Sequence, residues 1–273
     1  LVAVLSGHQK TIGNKKGILN IRIFAVIMNL FLTLAFLFSV GSIIGWIIEL
    51  FFRKYFSSSN PNHKWINPGF LRGPYLPLYG FVLCILYFLS KINLNFIPNL
   101  IIQHFVLFGI MAIIITFVEY IAGIIFIKGM KVKLWDYSKL KGNIQGIICP
   151  QFTFFWFLLS VFYYIFIEPY INDAVFWLSK NLSFTFLVGF YYGIFTIDLF
   201  YSIHILSKIK KFADEHKIVI KYEALKNSIR NRNEEIKDRI NFFFFLKSEK
   251  TPLTENLKKY IEKEREKLKD MLE

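Results

Sequence analysis

Apolar positions form five long runs along the chain, separated by shorter polar segments. Such runs are typical of transmembrane helices, which need about 20 apolar residues to cross the hydrocarbon core of a bilayer. The second run is short, and Gly and Pro residues interrupt its start between positions 73 and 80. We therefore predict an all-α polytopic membrane bundle of about five helices, over Phe24–Phe52, Leu78–Leu89, Leu100–Ile127, Ile147–Ile167 and Phe184–Leu206.

The pattern changes after Leu206. Positions 207–273 carry 18 Lys/Arg and 13 Asp/Glu, whereas positions 1–206 carry only 15 and 6. We predict an amino-terminal segment over 1–22, a transmembrane domain over 23–206 and a charged, helical, cytoplasmic tail over 207–273. The first apolar run is far longer than the 7–15 residues typical of a signal-peptide core, so we expect it to be retained. Because the chain begins with Leu1 rather than Met, we expect a trimmed or partial amino terminus.

The composition agrees with a membrane location. Hydrophobic residues make up 55% of the chain, above the 45–50% that is typical of soluble domains, which excludes one soluble globular domain and also disorder. The net charge of +14 arises from loops facing the membrane surface and from a tail in which acids offset most bases. Nucleic acid is therefore not an expected partner. We predict the lipid bilayer as partner, with an apolar tail face on anionic lipid or on another chain.

Basic residues indicate the orientation of the bundle. Lys and Arg concentrate in the segments 53–77 and 128–145 and in the tail, which lie on one side if there are five spans. The positive-inside rule makes that side cytoplasmic, with the carboxyl terminus inside. The basic residues of the segment 1–22 fall on the opposite side in this scheme, so the side of the amino terminus stays open.

Three acids interrupt the apolar runs: Glu49, Glu119 and Asp198. A carboxylate within a membrane span costs about 2.5–3.5 kcal/mol on insertion scales, so each should face a cavity, a partner charge or the bundle interior. Arg72 is the expected partner, because the Gly and Pro residues around it suggest backbone that folds back towards the membrane. The alternative is that the acids lie at headgroup level and pair with loop Lys and Arg.

Two stretches of the chain have similar spacing. Glu49 precedes Trp65 by sixteen residues, and Glu119 precedes Trp135 by sixteen. Each acid lies near the end of a helix, before a basic aromatic loop and an interrupted entry to the next helix. This spacing suggests a parallel internal repeat with broken or re-entrant segments. Broken helices in repeats are typical of transporter binding sites, although a chance coincidence of spacing is the alternative.

We combine the acids with the nearby aromatic and polar residues into one candidate substrate site. Trp46, Trp156 and Trp177 are instead interpreted as interfacial anchors. No residues are predicted to be catalytic or to bind a metal or cofactor, because the sequence lacks HExxH, paired CxxC and GxSxG motifs and a phosphate loop. The predicted substrate-binding residues are Glu49, Arg72, Tyr75, Tyr79, Glu119, Trp135, Asp136, Tyr137, Asn143 and Asp198.

Two motifs of the chain are specific enough to compare with known families. The first is a Gly-Trp-x-x-Glu helix end at Gly45–Glu49, followed by an Asn-x-Gly-Phe-Leu-x-Gly-Pro segment over Asn67–Pro74. The second is Leu-Trp-Asp-Tyr-Ser over Leu134–Ser138, followed by Asn143. Together they resemble the motifs of the CmpB-type family of ABC-transporter type IV membrane proteins, and the resemblance covers roughly residues 40–205. It implies a bacterial inner-membrane protein with a transport role, and it departs from the family at Lys141, where we expect Pro.

Three functions fit these observations. The first is a transporter or permease component with a polar intramembrane pocket. The second is a membrane enzyme acting on a lipid or lipid-linked substrate, with an acid as general base and Arg72 binding a phosphate. The third is a scaffold without catalytic activity. A separate ATPase subunit or other protein at the cytoplasmic face, and further copies of the chain, are the candidate partners.

Overall fold

The computed structural model describes residues 2–57, 60, 63–233 and 253–270. These residues form eight α-helices and one two-stranded sheet. The sheet consists of β1 (Val132–Lys133) and β2 (Ile220–Lys221). The helices are α1 (Val2–Tyr55), α2 (Pro77–Leu89), α3 (Leu100–Ile124), α4 (Pro150–Phe162), α5 (Glu168–Lys180), α6 (Thr185–Glu215), α7 (Tyr222–Asn233) and α8 (Leu253–Asp270).

The prediction of an all-α membrane bundle is confirmed. Among the described residues, four helical stretches are long and apolar enough to cross a membrane: Ile27–Tyr55, Leu100–Gly129, Pro150–Lys180 and Leu182–Glu215. The predicted second span corresponds to the shorter α2, which has 13 residues. The predicted fourth span corresponds to Pro150–Lys180, which is longer than expected because a π-helical turn at Tyr163–Ile167 joins α4 to α5. Helix α6 continues without interruption beyond position 206.

The helices pack as two consecutive pairs, α1 with α2 and α3 with α4. Both pairs consist of a long helix, an irregular connection and a 13-residue helix that starts at a proline, Pro77 or Pro150. Proline is well suited to the first turn of a helix because its missing N–H has no helical acceptor there. In the first pair, a Cβ on Gly45 would overlap the Tyr79 ring, so glycine is required for this close approach.

The connection between α1 and α2, which we call the first connection, turns back along α1. The backbone N–H of Leu76 donates to the carbonyl of Ser42 at 2.9 Å, and Ser42 lies 13 residues before the end of α1. This return covers about 20 Å at the helical rise of 1.5 Å per residue. Irregular backbone is tolerated at such depth when it is buried in protein. Leu71 and Asn67, each about 2% exposed, meet that condition.

The three basic segments meet at one end of the bundle. Strand β1, which follows α3, pairs in parallel with β2, which follows α6. Behind this sheet lies an apolar cluster to which α6, α7 and α8 contribute Ile209, Leu225 and Leu257, and Phe70 from the first connection packs against it. At the α2–α3 connection, Lys91 forms an ion pair with Glu168 at 2.7 Å.

Candidate functional site

Two acids from the two helix pairs, Glu49 and Glu119, lie in one cluster with three aromatic side chains. We call Glu49, Tyr79, Glu119, Tyr137 and Trp156 the carboxylate cluster. Helix α1 supplies Glu49, α2 supplies Tyr79, α3 supplies Glu119, the segment after β1 supplies Tyr137, and α4 supplies Trp156. Each acid accepts a hydrogen bond from a tyrosine of its own helix pair. The two pairs therefore present their acids in similar ways.

Glu119 is the most deeply buried member of this cluster, with 3% of its surface exposed. Its Oε2 accepts a hydrogen bond from Trp156 Nε1 at 2.8 Å, and its Oε1 accepts one from the Tyr137 hydroxyl at 3.1 Å. Both donors are electrically neutral. Hydrogen bonds satisfy both oxygens, but neither donor supplies the opposite charge that a buried carboxylate ordinarily has.

Glu49 has a charged partner. The Nε of Arg53, one helical turn further on, donates to Glu49 Oε1 at 2.9 Å. Arg53 also contacts Glu223 on α7 through a second guanidinium nitrogen. The Tyr79 hydroxyl lies 3.3 Å from Glu49 Oε2. Arg53 thus connects the tail to the acid of α1.

Aromatic rings enclose the carboxylate cluster. The Tyr137 ring stacks on Phe152 with centroids 4.2 Å apart, and the Tyr79 ring packs against Trp156 at 5.6 Å. Burial, followed by the charges of Glu119 and Glu49, raises the pKa of Tyr137 well above its ordinary value. Its hydroxyl therefore stays protonated and available as a donor.

Asp198 holds the first connection to α6. Its Oδ2 accepts from the backbone N–H groups of Arg72 and Gly73 at 2.9 and 2.8 Å, and from the Tyr75 hydroxyl at 2.7 Å. Its Oδ1 accepts from Ser202 at 3.1 Å. Burial and the hydrogen bond to Asp198 raise the pKa of Tyr75, which keeps its hydroxyl a donor.

Arg72 interacts differently from our expectation. Its guanidinium lies 3.4 Å from the centroid of the Tyr201 ring, whereas Arg53 is the arginine that pairs with Glu49. The sequence suggested Arg72 because of the Gly and Pro residues near it. The backbone there does turn back into the bundle, and it is the backbone N–H of Arg72, together with that of Gly73, that binds Asp198.

Trp135, Asp136 and Asn143 stabilise the segment between β1 and α4. Trp135 donates to the Ile147 carbonyl at 2.8 Å, and Asn143 donates to the Leu140 carbonyl at 2.7 Å. Asp136 forms ion pairs with Lys133 at 2.7 Å and Lys221 at 2.9 Å. Partial burial disfavours the charge of Asp136, but hydrogen bonds from Lys133, Ser138 and Lys221 outweigh it and hold the pKa of the carboxyl below its ordinary value.

A buried lysine joins the tail to the first connection. Lys226 of α7 donates to the Asn67 carbonyl at 2.9 Å and to the Gly69 carbonyl at 2.5 Å. Burial, followed by the nearby charge of Arg53, lowers its pKa well below the ordinary value for lysine, and Glu49 opposes this effect. Asn67 in turn accepts from Trp46 Nε1 at 2.7 Å.

The structure brings four of the ten predicted site residues into the carboxylate cluster: Glu49, Tyr79, Glu119 and Tyr137. The remaining six lie in the Asp198 contacts or in the segment after β1. Sequence reasoning missed Trp156, which we interpreted as an interfacial anchor but which is 6% exposed and binds Glu119. It also missed Arg53, although the i, i+4 spacing from Glu49 is a recognisable signal for an ion pair.

Among the described residues, no group of three or more His, Cys, Asp or Glu side chains could hold a metal ion. The family model described as "Putative ABC-transporter type IV" matches residues 36–203, which is more than half of the chain. The chain belongs to this family. The matched region contains α1 from residue 36 onward, all of α2, α3 and α4, and all ten predicted site residues, whereas α7 and α8 lie outside it. No curated protein and no solved structure matches the chain.

Family membership and the four long apolar helices identify an integral membrane protein of ABC-transporter type. Both fit a component of membrane transport. The predicted resemblance over residues 40–205 agrees closely with the matched residues.

Proposed function

We propose that this chain is the permease-type membrane component of a transporter, and that the carboxylate cluster lies on its substrate path. The observation that carries the proposal is the meeting of Glu49 and Glu119, from two similarly built helix pairs, inside an aromatic enclosure. Membrane acids of this kind are costly and are typical of substrate or ion pathways. Broken helices contributed by repeated units are typical of binding sites in transporters.

The irregular segments near the carboxylate cluster support the proposal, because they can move during transport. The helices α2 and α4 start at prolines, and both are preceded by irregular segments. Such ends can change position without breaking a continuous helix. The other predicted site residues, above all Arg72, Tyr75, Asp136 and Asp198, would then hold the irregular segments in place around the path.

The proposal includes an orientation and a partner. The end of the bundle that contains Lys133, Lys221 and α7 faces the cytoplasm of a bacterial cell, since basic segments favour that side. A separate ATPase subunit supplies the energy at this face, because the chain lacks a phosphate loop. The membrane-enzyme alternative is less well supported, since Arg72 stacks on Tyr201 instead of facing the carboxylates of the cluster.

Accessibility of the cluster from both sides of the membrane tests the proposal. The chain has two cysteines, Cys84 and Cys149, which are first replaced by alanine. A single cysteine is then introduced as Thr116→Cys, on the turn of α3 preceding Glu119 and on the same helix face. A membrane-impermeant maleimide is applied to intact cells and to inverted membrane vesicles, both of which retain any partner subunit.

The proposal predicts labelling of Thr116→Cys from both sides. The matched control is Ser202→Cys, at a serine that is 3% exposed and bound to Asp198, and it should remain unlabelled. Labelling of Thr116→Cys from one side only would contradict transport and favour chemistry at one membrane surface. Absence of labelling from both sides would favour a scaffold.

A further inference from the structure

Glu119 has an unusual set of partners for a buried acid. Only 3% of its surface is exposed, and its carboxylate accepts hydrogen bonds from the indole of Trp156 and the phenol of Tyr137. Within the described part of the chain, no ion pair involves its carboxylate. A lone negative charge in such surroundings is strongly disfavoured, so a positive charge must accompany it or a proton must neutralise it.

The charges around Glu119 favour neutralisation. The titratable and charged groups that face it are Glu49 from α1, with Arg53 behind it, Tyr79 from α2 and Tyr137 from the segment after β1. Helix α4 contributes the neutral Trp156. The charge of Arg53 is already shared between Glu49 and Glu223. Glu49 therefore adds negative potential at Glu119 that is only partly compensated.

The packing limits which positive species could enter. The Tyr79 ring fills the space that a Cβ on Gly45 would need, and Ile147 likewise fills the space beside Gly123 on α3. Trp156 and Tyr137 already occupy hydrogen-bonding positions at both oxygens of Glu119. A hydrated metal ion or an organic ammonium group would have to displace these side chains. A proton needs no additional room.

We propose that Glu119 is a proton-binding site. In this step a hydronium ion transfers its proton to Oε1 of the Glu119 carboxylate, which forms an O–H bond and leaves a neutral carboxyl group and a water molecule. The Tyr137 hydroxyl, which donates to Oε1 of the charged carboxylate, then turns its proton away and accepts from the new hydroxyl, because a phenol can accept as well as donate. The inference rests on the proposed function, since it places a change of charge within the same cluster on the substrate path.

Tryptophan fluorescence tests the inference, because the Trp156 indole donates directly to Glu119 and should respond to its charge. The complete chain is placed in lipid nanodiscs, and the emission of the wild type and of Trp156→Phe is recorded between about pH 4 and pH 9, which spans the ordinary and raised range of glutamate. The difference between the two is the Trp156 signal. We expect this signal to change with pH and the change to disappear in Glu119→Gln.

Two further variants identify the titrating group. Glu49→Gln removes a neighbouring negative charge, which makes proton uptake by Glu119 less favourable. The midpoint of the pH transition in the Trp156 signal should therefore move to lower pH by about 0.5–1 unit. Glu168→Gln, which changes an acid paired with Lys91 at another part of the bundle, should leave the midpoint unchanged. A Trp156 signal without a pH transition, or a transition that survives in Glu119→Gln, would overturn the inference.

Infrared difference spectroscopy gives a second readout that does not depend on tryptophan. The wild type should show a protonated carboxyl C=O band that decreases as the pH rises, and Glu119→Gln should lack it. These results are separable from the accessibility test. Two-sided labelling without a titration of Glu119 would leave the transport proposal in place and reject the proton site. A titration of Glu119 without two-sided labelling would reject the transport path.

Discussion

Glu119 and Asp198 look alike in the sequence but have different surroundings in the fold. Both are acids within apolar runs, and both are nearly buried, at 3% and 9% exposure. Asp198 receives four hydrogen bonds, two of them from backbone N–H groups that cannot turn away. Glu119 receives two, both from side chains that can rotate. We infer that Asp198 stabilises the fold, whereas Glu119 can change its state.

The largest expected effect comes from removing the Asp198 carboxylate. Asp198→Ala would leave two backbone N–H groups and the Tyr75 hydroxyl without their acceptor. Each buried donor that loses its partner costs about 1–3 kcal/mol, so we expect a loss of about 3 kcal/mol or more in the free energy of unfolding. The measurement is thermal unfolding in detergent or nanodiscs. An unfolding midpoint within a degree of the wild type would show that Asp198 does not stabilise the fold, which would contradict the distinction drawn between Asp198 and Glu119.

Contact between tail and bundle should give the next largest effect. Lys226→Met removes the hydrogen bonds to the carbonyls of Asn67 and Gly69, and we expect docking of α7 to weaken by about 1–3 kcal/mol. Hydrogen exchange of α7 amides measures the change. Lys208→Met, at an exposed position on α6, is the matched control and should have no effect. Equal exchange in the two variants would contradict a role of Lys226 in docking.

A smaller effect on stability is expected at Glu119 itself. Glu119→Gln keeps the shape of the side chain and an oxygen that can accept from Trp156. The unfolding free energy should therefore change by less than about 1 kcal/mol. Function should nevertheless be lost if the acid works through its charge. Thermal unfolding beside that of Asp198→Ala provides the direct comparison, and a loss in Glu119→Gln as large as in Asp198→Ala would make both acids structural.

The smallest effect is expected at the surface, where Asp136 pairs with Lys133 and Lys221. The pKa of Asp136 is lowered in the folded protein, so its charged form stabilises the fold. This contribution to the free energy of unfolding is present above the ordinary carboxyl pKa of about 4 and is lost as the pH falls below it. Asp136→Asn should remove this pH dependence and speed exchange of the Ile220 amide, which donates to the Lys131 carbonyl. Asp214→Asn, at an exposed position, should leave unchanged both the pH dependence of stability and the exchange of the Ile220 amide.

Much of this architecture could be predicted from the sequence. Apolar runs located all five segments, because a membrane helix must satisfy its backbone internally and cover it with apolar side chains. The matched spacing after Glu49 and Glu119 suggested that they occupy corresponding positions in two similar units. The Gly and Pro residues from 69 to 77 indicated irregular backbone, which does turn back about 20 Å along α1.

The partners of the acids could not be predicted in the same way. Which side chain reaches Glu119 depends on how α4 is rotated against α3, and nearly every face of these helices is apolar. Trp156 therefore gave the same signal as an interfacial tryptophan. Arg72 was expected to contribute its side-chain charge, but it binds Asp198 through its backbone N–H, a group that every residue except proline carries.

Access to the carboxylate cluster from the two sides of the membrane tests the central claim most directly. With Cys84 and Cys149 replaced by alanine, Thr116→Cys reports the turn beside Glu119, and Ser202→Cys reports the turn beside Asp198. The account predicts that an impermeant maleimide labels the first from both sides of the membrane and the second from neither. Equal protection of the two cysteines, or labelling of Thr116→Cys from one side alone, would contradict it.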